Sequence, residues 1–130
     1  MKMTLNEVRV RYSNLSSISG KHLPVKLSYA IGKNMINLES ELKISEKKRT
    51  ELAETYAKKD ENGNPVIEKN EYKMEDMDSF KAEFEELLKE EIDVDIRTVP
   101  MSIIENYDDS KYDALAPADF VAMHFMLEEA

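Results

Sequence analysis

The chain has 130 residues, of which 42% are hydrophobic and 35% are charged, with a formal net charge of -9 and no cysteine. This length suits one hydrophobic core, so we predict that residues 1–130 form a single domain. The lack of cysteine excludes disulfides, thiolate nucleophiles and cysteine-ligated zinc. No window approaches the roughly 20 apolar residues of a membrane span, and no signal-peptide pattern follows Met1. We therefore expect a cytoplasmic protein that does not enter a membrane.

Charge is distributed unevenly along the chain. Residues 1–59 hold twelve lysines and arginines against six glutamates, a net charge of +6, whereas residues 60–130 hold six against twenty-one acids, a net charge of -15. Two interpretations are open. Either the halves pack as neighbouring helices and partly neutralise each other, which is the ordinary pattern and the one we favour, or the surface is dipolar and attracts a partner.

The first predicted helix begins close to the start of the sequence. Its apolar positions recur at spacings of three and four: Leu5, Val8, Tyr12 and Leu15. Thr4 is suited to cap the first free backbone N–H groups of this helix. Gly20 and Pro24 then predict a break over residues 19–23, because glycine closes helices and proline suits the first turn of the next one.

A long helix is predicted from residue 24 to residue 58. Its seam residues fall at spacings of four and three: Leu27, Ile31, Met35, Leu38, Leu42, Ser45, Arg49, Leu52 and Tyr56. A stripe about 50 Å long cannot be covered by loops, so it requires a second helix or a second copy of the chain beside it. Ser45 and Arg49 interrupt the seam, which predicts that its second half is more exposed.

A concentrated turn signal, Asp60 to Pro65, ends the long helix. The same region partly matches a calcium-binding EF-hand loop, since the first, third, fifth, eighth and twelfth positions hold Asp60, Asn62, Asn64, Ile67 and Glu71. The sixth position requires glycine and holds Pro65, so we favour a simple turn over a calcium site. Residues 66–74 are predicted to form a small hairpin.

A second amphipathic helix is predicted over residues 77–90, packed antiparallel on the long helix. Its apolar positions are Met77, Phe80, Phe84, Leu87 and Leu88. Residues 92–96 alternate apolar and acidic side chains, which predicts a strand with Val94 buried and with Asp93 and Asp95 in solvent. We expect this strand to join the 66–74 hairpin in one small antiparallel sheet.

The chain is predicted to close with a C-terminal helix after Pro117. The buried stripe of this helix would include four residues: Phe120, Met123, His124 and Leu127. Together, these elements predict an α+β fold that is mostly helical.

No catalytic, cofactor-binding or metal-binding residues are predicted, and we expect that the protein is not an enzyme. His124 and Glu128 lie four residues apart, but two ligands do not make a metal site. The ten carboxylates from Glu75 to Asp95 are interpreted as a solvated surface, since nothing places one of them in an apolar cleft. Basic residues on the long helix alternate with glutamates, which argues against direct nucleic-acid binding.

Four segments carry a resemblance to a known group of proteins: residues 23–34, which begin LPVKLSYAI, residues 48–56, the turn 60–65, and residues 84–96, which end ELLKEEIDVDI. They resemble small uncharacterised proteins of phages and prophages in Gram-positive bacteria. The resemblance covers most of the chain, and its motifs are structural. It implies a phage-encoded protein of the host cytoplasm and carries no family chemistry to transfer.

We predict a non-enzymatic accessory or assembly protein of the phage type that acts by association with a protein partner or with itself. Its eight methionines offer adaptable apolar surface for such contacts. The alternative is an acidic inhibitor that imitates a nucleic acid and occupies a host defence enzyme. The predicted partner-binding residues are Met35, Leu38, Leu42, Leu52 and Tyr56 on the seam, with Glu83, Glu86 and Glu90 on the acidic helix.

Overall fold

A computed structural model describes residues 1–129. The helices are α1 (Leu5–Ile18), α2 (Val25–Tyr56), α3 (Met77–Leu88), α4 (Ser102–Glu105) and α5 (Pro117–Met123). The strands are β1 (Lys2–Thr4), β2 (Ile67–Glu68), β3 (Glu71–Tyr72), β4 (Glu91–Asp93), β5 (Val99–Pro100) and β6 (Leu127–Glu128). The predicted α+β, mostly helical class is confirmed. Within the described residues, no helix combines the length and the apolar character that crossing a bilayer requires.

The start of α1 and the break before α2 follow the sequence signals. The Thr4 hydroxyl accepts a hydrogen bond of 3.1 Å from the backbone N–H of Glu7, and the Thr4 N–H donates to the Glu7 carboxylate at 3.0 Å. This reciprocal pair satisfies two N–H groups at the helix end. α1 ends at Ile18 and α2 begins after Pro24, so the predicted break is confirmed.

The core lies between α1, the first half of α2 and the C-terminal elements. Its fully buried side chains include Val8, Leu15, Ile18, Leu27, Leu38, Met123 and Met126. The packing of α1 on α2 was not predicted, because the sequence pattern of each helix shows which face is apolar and not which helix covers it.

The predicted single sheet is wrong. β4 pairs antiparallel with β1, with Met3 opposite Ile92, while β2 and β3 form a separate hairpin. β1 is only three residues long and leads straight into α1, so it gives no alternating pattern to detect. The predicted strand over residues 92–96 is shorter and ends at Asp93. Its face assignment is confirmed, since Val94 is buried and both Asp93 and Asp95 are exposed.

The C-terminal helix is shorter than predicted. α5 ends at Met123, residues 124–126 form a 3₁₀ turn, and β6 then pairs parallel with β5. The predicted buried stripe is therefore wrong at His124, which is exposed. The tightened turn places Met126, rather than His124, in the core together with Ala122 and Met123.

Two amide side chains of α2 hold the extended segment that connects β4 to β5. Asn34 is fully buried, donates through Nδ2 to the Arg97 carbonyl at 2.9 Å and accepts through Oδ1 from the Arg97 N–H at 2.7 Å. Asn37 donates to the Asp95 carbonyl at 2.8 Å. Asn34 thus supplies the Arg97 backbone with the donor and acceptor that a neighbouring strand would supply, whereas the Asn37 contact is exposed.

Candidate functional site

α3 is fixed to the end of α2 by backbone hydrogen bonds. The N–H groups of Glu75 and Asp76 both donate to the Tyr56 carbonyl, at 2.8 Å and 3.2 Å. The Asp76 carboxylate then caps α3 by accepting from the Ser79 N–H at 3.1 Å. Phe84, further along α3, lies beside Leu42 on the middle of α2. α3 therefore runs antiparallel to α2, as predicted.

None of the residues of α3 is buried, so this helix packs loosely on the rest of the chain. Its apolar side chains Phe80, Phe84, Leu87 and Leu88 are only half-buried, and Met77 is 43% exposed. An amphipathic helix of a closed domain normally buries its apolar stripe against the core. Part of the apolar face of α3 is therefore exposed and could contact another molecule.

Two adjoining hollows lie between α2 and α3, and we call them together the α2–α3 cleft. The larger hollow, of about 450 Å³, is lined by Arg49, Thr50, Ala53, Ile67, Asn70, Glu71, Tyr72, Met74, Met77 and Phe80. The second, of about 420 Å³, is lined by Arg9, Leu42, Ser45, Glu46, Arg49 and Phe84. Arg49 lines both hollows, so its side chain divides the cleft.

One wall of the cleft is aromatic. The rings of Phe80 and Phe84 lie parallel within 2°, with their centroids 6.1 Å apart. The guanidinium of Arg9 lies 5.7 Å from the centroid of Phe84, within the range of a cation–π contact. The wall therefore offers flat apolar surface next to a fixed positive charge.

The dividing guanidinium of Arg49 is held by a fork of hydrogen bonds to Glu46. Nε lies 3.1 Å from both carboxylate oxygens of Glu46, and one terminal nitrogen lies 2.7 Å from Oε1. The same hydrogen bonds lower the pKa of Glu46 and raise the pKa of Arg49. The arginine is thus charged and oriented inside the cleft, where it can meet an acceptor group.

Two tyrosine hydroxyls near the C-terminal end of α2 bind carboxylates. The Tyr56 hydroxyl donates to Glu83 at 2.7 Å, and the Tyr72 hydroxyl donates to Glu54 at 2.8 Å. Each hydrogen bond to a carboxylate raises the pKa of the tyrosine concerned. The cleft therefore combines the apolar side chains of Met77, Phe80 and Phe84 with polar and charged ones of both signs.

Ion pairs between α2 and α3 do not neutralise the two halves of the chain. Within residues 1–129, the ion pairs of α2 are formed inside that helix, and none joins it to α3. One pair of side chains, Lys21 and Asp119 at 3.0 Å, joins the basic half to the acidic half. α2 and α3 do pack as neighbouring antiparallel helices, and the side-chain hydrogen bond between them joins Tyr56 to Glu83. A second ion pair, from the Met1 ammonium to Asp93, also joins the two halves of the chain.

The predicted seam residues have different environments. Leu42 lines the cleft, and Leu52 and Tyr56 are half-buried farther along α2. Met35 is half-buried and packs against the core. Leu38 is fully buried in that core, so it is inaccessible to a partner while the domain is folded.

The predicted acidic residues also differ. Glu83 is engaged by Tyr56, whereas Glu86 and Glu90 are exposed and form no ion pair with any residue of the described chain.

Two features of this surface lie outside the sequence predictions. Arg49 interrupts the apolar seam, yet it lines both hollows of the cleft. A second apolar stripe lies on the opposite face of α2, where Val25, Tyr29, Ile36 and Ile44 are 82%, 56%, 61% and 58% exposed. The spacing of these residues follows the helical period, so a helical projection of residues 25–44 would have shown the stripe.

The turn that resembles a calcium loop is closed by hydrogen bonds from its own backbone to the side chain of Asp60. The Asp60 carboxylate accepts hydrogen bonds from the N–H groups of Asn62 and Asn64, at 2.9 Å and 3.0 Å.

His124 packs against the edge of Phe120, with ring centroids 6.0 Å apart. Across residues 1–129, no group of three acidic, histidine or cysteine side chains is arranged to hold a metal ion.

Comparisons of the chain with protein-family models, with curated protein sequences and with solved structures find no match. The role of the α2–α3 cleft must therefore be inferred from its geometry and chemistry.

Proposed function

We propose that the chain is a non-enzymatic accessory or assembly protein of the phage type, which works in the host cytoplasm by binding a protein in the α2–α3 cleft. The observation that carries this proposal is that α3 buries none of its residues and turns a half-exposed aromatic face into the cleft. Apolar grooves with a few fixed charged groups are typical sites for a helix of a protein partner.

The chemistry of the walls supports a protein ligand. Met74 and Met77 are flexible apolar side chains that adapt to a partner, while Phe80 and Phe84 provide rigid apolar surface. The oriented Arg49 offers a donor for a carboxylate or a carbonyl of the partner. Aromatic residues, methionine and arginine are the types enriched at protein interfaces.

The test uses the tagged chain as bait in lysate of cells that naturally make it. We expect the wild type to retain a protein, whether a different protein or an untagged copy, and Phe84→Glu to lose it. Val121→Glu is the matched control, since Val121 is 69% exposed on α5 and lies outside the cleft. Equal retention by all three forms, with each shown to be folded by circular dichroism, would count against the cleft as the binding site.

The alternative function is an acidic inhibitor that imitates the phosphate backbone of a nucleic acid. It is supported by Glu86 and Glu90, which are exposed and unpaired within the described residues. Under this alternative, a double change of both residues to glutamine releases a basic protein, and rising salt releases it too, because exposed charge contacts are screened. Retention that survives both treatments would exclude the alternative.

A further inference from the structure

The turn over residues 60–65 contains an asparagine followed by a glycine. The chain has eight asparagines, and Asn62 is the one that precedes a glycine, Gly63. The side-chain amide of asparagine is an electrophile that the backbone nitrogen of the next residue can attack to form a succinimide ring. A following glycine hinders this attack least, because it has no Cβ and its backbone reaches conformations closed to other residues. Asn62 therefore has the neighbour that such a reaction favours.

The structure leaves space for the ring at this position. Asn62 and Gly63 are both exposed. A Cβ added to Gly63 would meet no atom within 4 Å, so the peptide group between the two residues borders open space. Gly63 has a φ of +79° and takes the left-handed position that closes a three-residue hairpin loop. The amide of Asn62 and a water molecule can thus both reach the reacting peptide group.

Asp60 restrains the reacting nitrogen. The N–H of Gly63 donates to the Asp60 carbonyl at 3.0 Å, and the N–H of Asp60 donates to the Asn64 carbonyl at 2.8 Å. The Asp60 carboxylate also accepts from the N–H groups of Asn62 and Asn64. Attack on the Asn62 amide requires the Gly63 nitrogen to lose its hydrogen-bonded proton, so the turn must open first. The Asp60 carboxylate therefore controls how often the reaction can begin.

The other seven asparagines lack this combination of features. Asn64 precedes Pro65, whose nitrogen carries no proton to lose. Asn70 and Asn106 precede residues whose side chains hinder the attack. Four lie within helices, where the backbone is held in one conformation: Asn6, Asn14, Asn34 and Asn37. We therefore expect Asn62 to react before any of the others.

We propose that Asn62 is a site of spontaneous deamidation. The Gly63 nitrogen forms a bond to Cγ of Asn62, and the bond from Cγ to Nδ2 breaks, so that ammonia leaves with the proton of the Gly63 nitrogen. Water then opens the succinimide at one of its two carbonyl carbons. Opening at Cγ gives aspartate in an ordinary backbone. Opening at the main-chain carbonyl carbon gives isoaspartate, in which the backbone runs through Cβ and Cγ.

The isoaspartate product changes the path of the turn. It lengthens the backbone between Asp60 and Asn64 by one carbon atom, so the 2.8 Å hydrogen bond between these residues no longer fits. Either product also adds a negative charge to the acidic half of the chain. The hairpin that follows supplies one wall of the larger hollow of the α2–α3 cleft, through Ile67, Tyr72 and Met74. Conversion of Asn62 therefore loosens that wall as the protein ages.

Ageing of the purified full chain tests the proposal. The wild type is kept at mildly alkaline pH, which favours loss of the proton from the Gly63 nitrogen, and is sampled over time by peptide mass spectrometry. The peptide that contains Asn62 should show replacement of the amide by a carboxyl group, divided between aspartate and isoaspartate, before any other asparagine peptide does. Asn62→Gln is the matched control and should stay unchanged over the same period, since glutamine would have to close a larger ring.

A second variant tests the control of the reaction by the turn. Asp60→Ala removes the carboxylate that holds the N–H groups of Asn62 and Asn64. It should speed the conversion several-fold, with circular dichroism showing that the fold is kept. In the aged wild type, amide hydrogen exchange at Asn64 should be faster in the isoaspartate fraction than in the unreacted fraction.

Each part of the proposal can fail separately. An Asn62 amide that persists in the folded chain while the urea-unfolded chain converts would show that the turn protects it, and would overturn the proposal. Faster conversion at Asn70 or Asn106 would overturn the choice of site. Equal rates in the wild type and Asp60→Ala would overturn the control by Asp60, and unchanged exchange at Asn64 would overturn the loosening of the hairpin.

Discussion

Two regions of this molecule are held together in different ways. In the packed region, α1, the first half of α2 and the C-terminal elements surround a core of large apolar side chains such as Leu15, Leu27 and Met126. In the open region, residues 45–90, the buried side chains are Ser45, Ala53 and Ala57 only. The contrast teaches that one region supplies the stability of the domain while the other keeps apolar surface for contacts with a partner.

The largest effect is expected from a charge placed in the packed region. Val94→Asp puts a carboxylate at a position that is 3% exposed, and it should cost several kcal/mol of a total free energy of unfolding of about 5–15 kcal/mol. Asp95→Asn is the matched control on the adjacent exposed position, with an expected cost of well under 1 kcal/mol. Urea unfolding followed by circular dichroism measures both. An Asp95→Asn variant that unfolds more readily than Val94→Asp would reverse the face assignment.

The contrast between the regions is tested directly by truncating one leucine in each. Leu38→Ala should cost about 2–5 kcal/mol, because Leu38 is fully buried and a cavity remains. Leu52→Ala, in the half-buried part of the same helix, should cost less than half as much. The measurement is again the free energy of unfolding in urea. Equal costs at the two sites would mean that the open region is as tightly packed as the core.

Removing the buried amide of α2 is expected to have a smaller but clear effect. Asn34→Ala leaves the N–H and the carbonyl of Arg97 without their partner, which should cost about 1–3 kcal/mol. Asn37→Ala is the control, because its single hydrogen bond to Asp95 is exposed. Amide hydrogen exchange should also become faster at Arg97 in the first variant. Unchanged protection of that amide would disprove the role of Asn34 as a clamp.

The smallest expected effect concerns the contact between α5 and the α1–α2 turn. The backbone N–H of Ala116 and the ammonium of Lys21 both donate to Asp119 and lower the pKa of its carboxyl group. A lowered pKa stabilises the folded state above the unfolded value of about 3.9, and this contribution disappears as the pH falls through the lowered pKa. Asp119→Asn should therefore cost about 1 kcal/mol at pH 7, and the difference from the wild type should shrink below about pH 4. A difference that stays constant with pH would rule out the carboxylate charge as its source.

The three long helices could be predicted from the sequence, whereas the short strands and the packing partners of each element could not. The apolar periods of residues 5–18, 25–56 and 77–88 predicted three helices within two residues at nearly every end, because α1 and α3 carry side-chain caps and Pro24 marks the start of α2. β1 was missed because three residues show no period. Asn34 was missed because a polar residue in a helix normally faces water, and only the tertiary path of Arg97 explains its burial.

The candidate site could be predicted only in part, because the spacing of apolar residues does not show how exposed they are. An apolar position such as Phe84 shows the same spacing whether it is buried or lines an open cleft, so periodicity located the surface without revealing its exposure. Leu42 was assigned to a partner surface and does line the cleft, whereas Leu38, one turn away, belongs to the core. The difference depends on where α1 ends its contact with α2, which is a property of the assembled fold.

α2 is one unbroken helix that extends from the packed region into the open region. Its 32 residues span about 48 Å, with the first half clamped in the core and the second half projecting together with α3. A tilt of roughly 10° at the clamp displaces the far end of such a rod by about 4 Å, which is close to the width of one side chain. The C-terminal end of α3 is tied to the core as well, because the Leu5 N–H donates to the Glu90 carbonyl and β4 pairs with β1. A load on α3 is therefore transmitted to the core along two paths, through α2 and through β4.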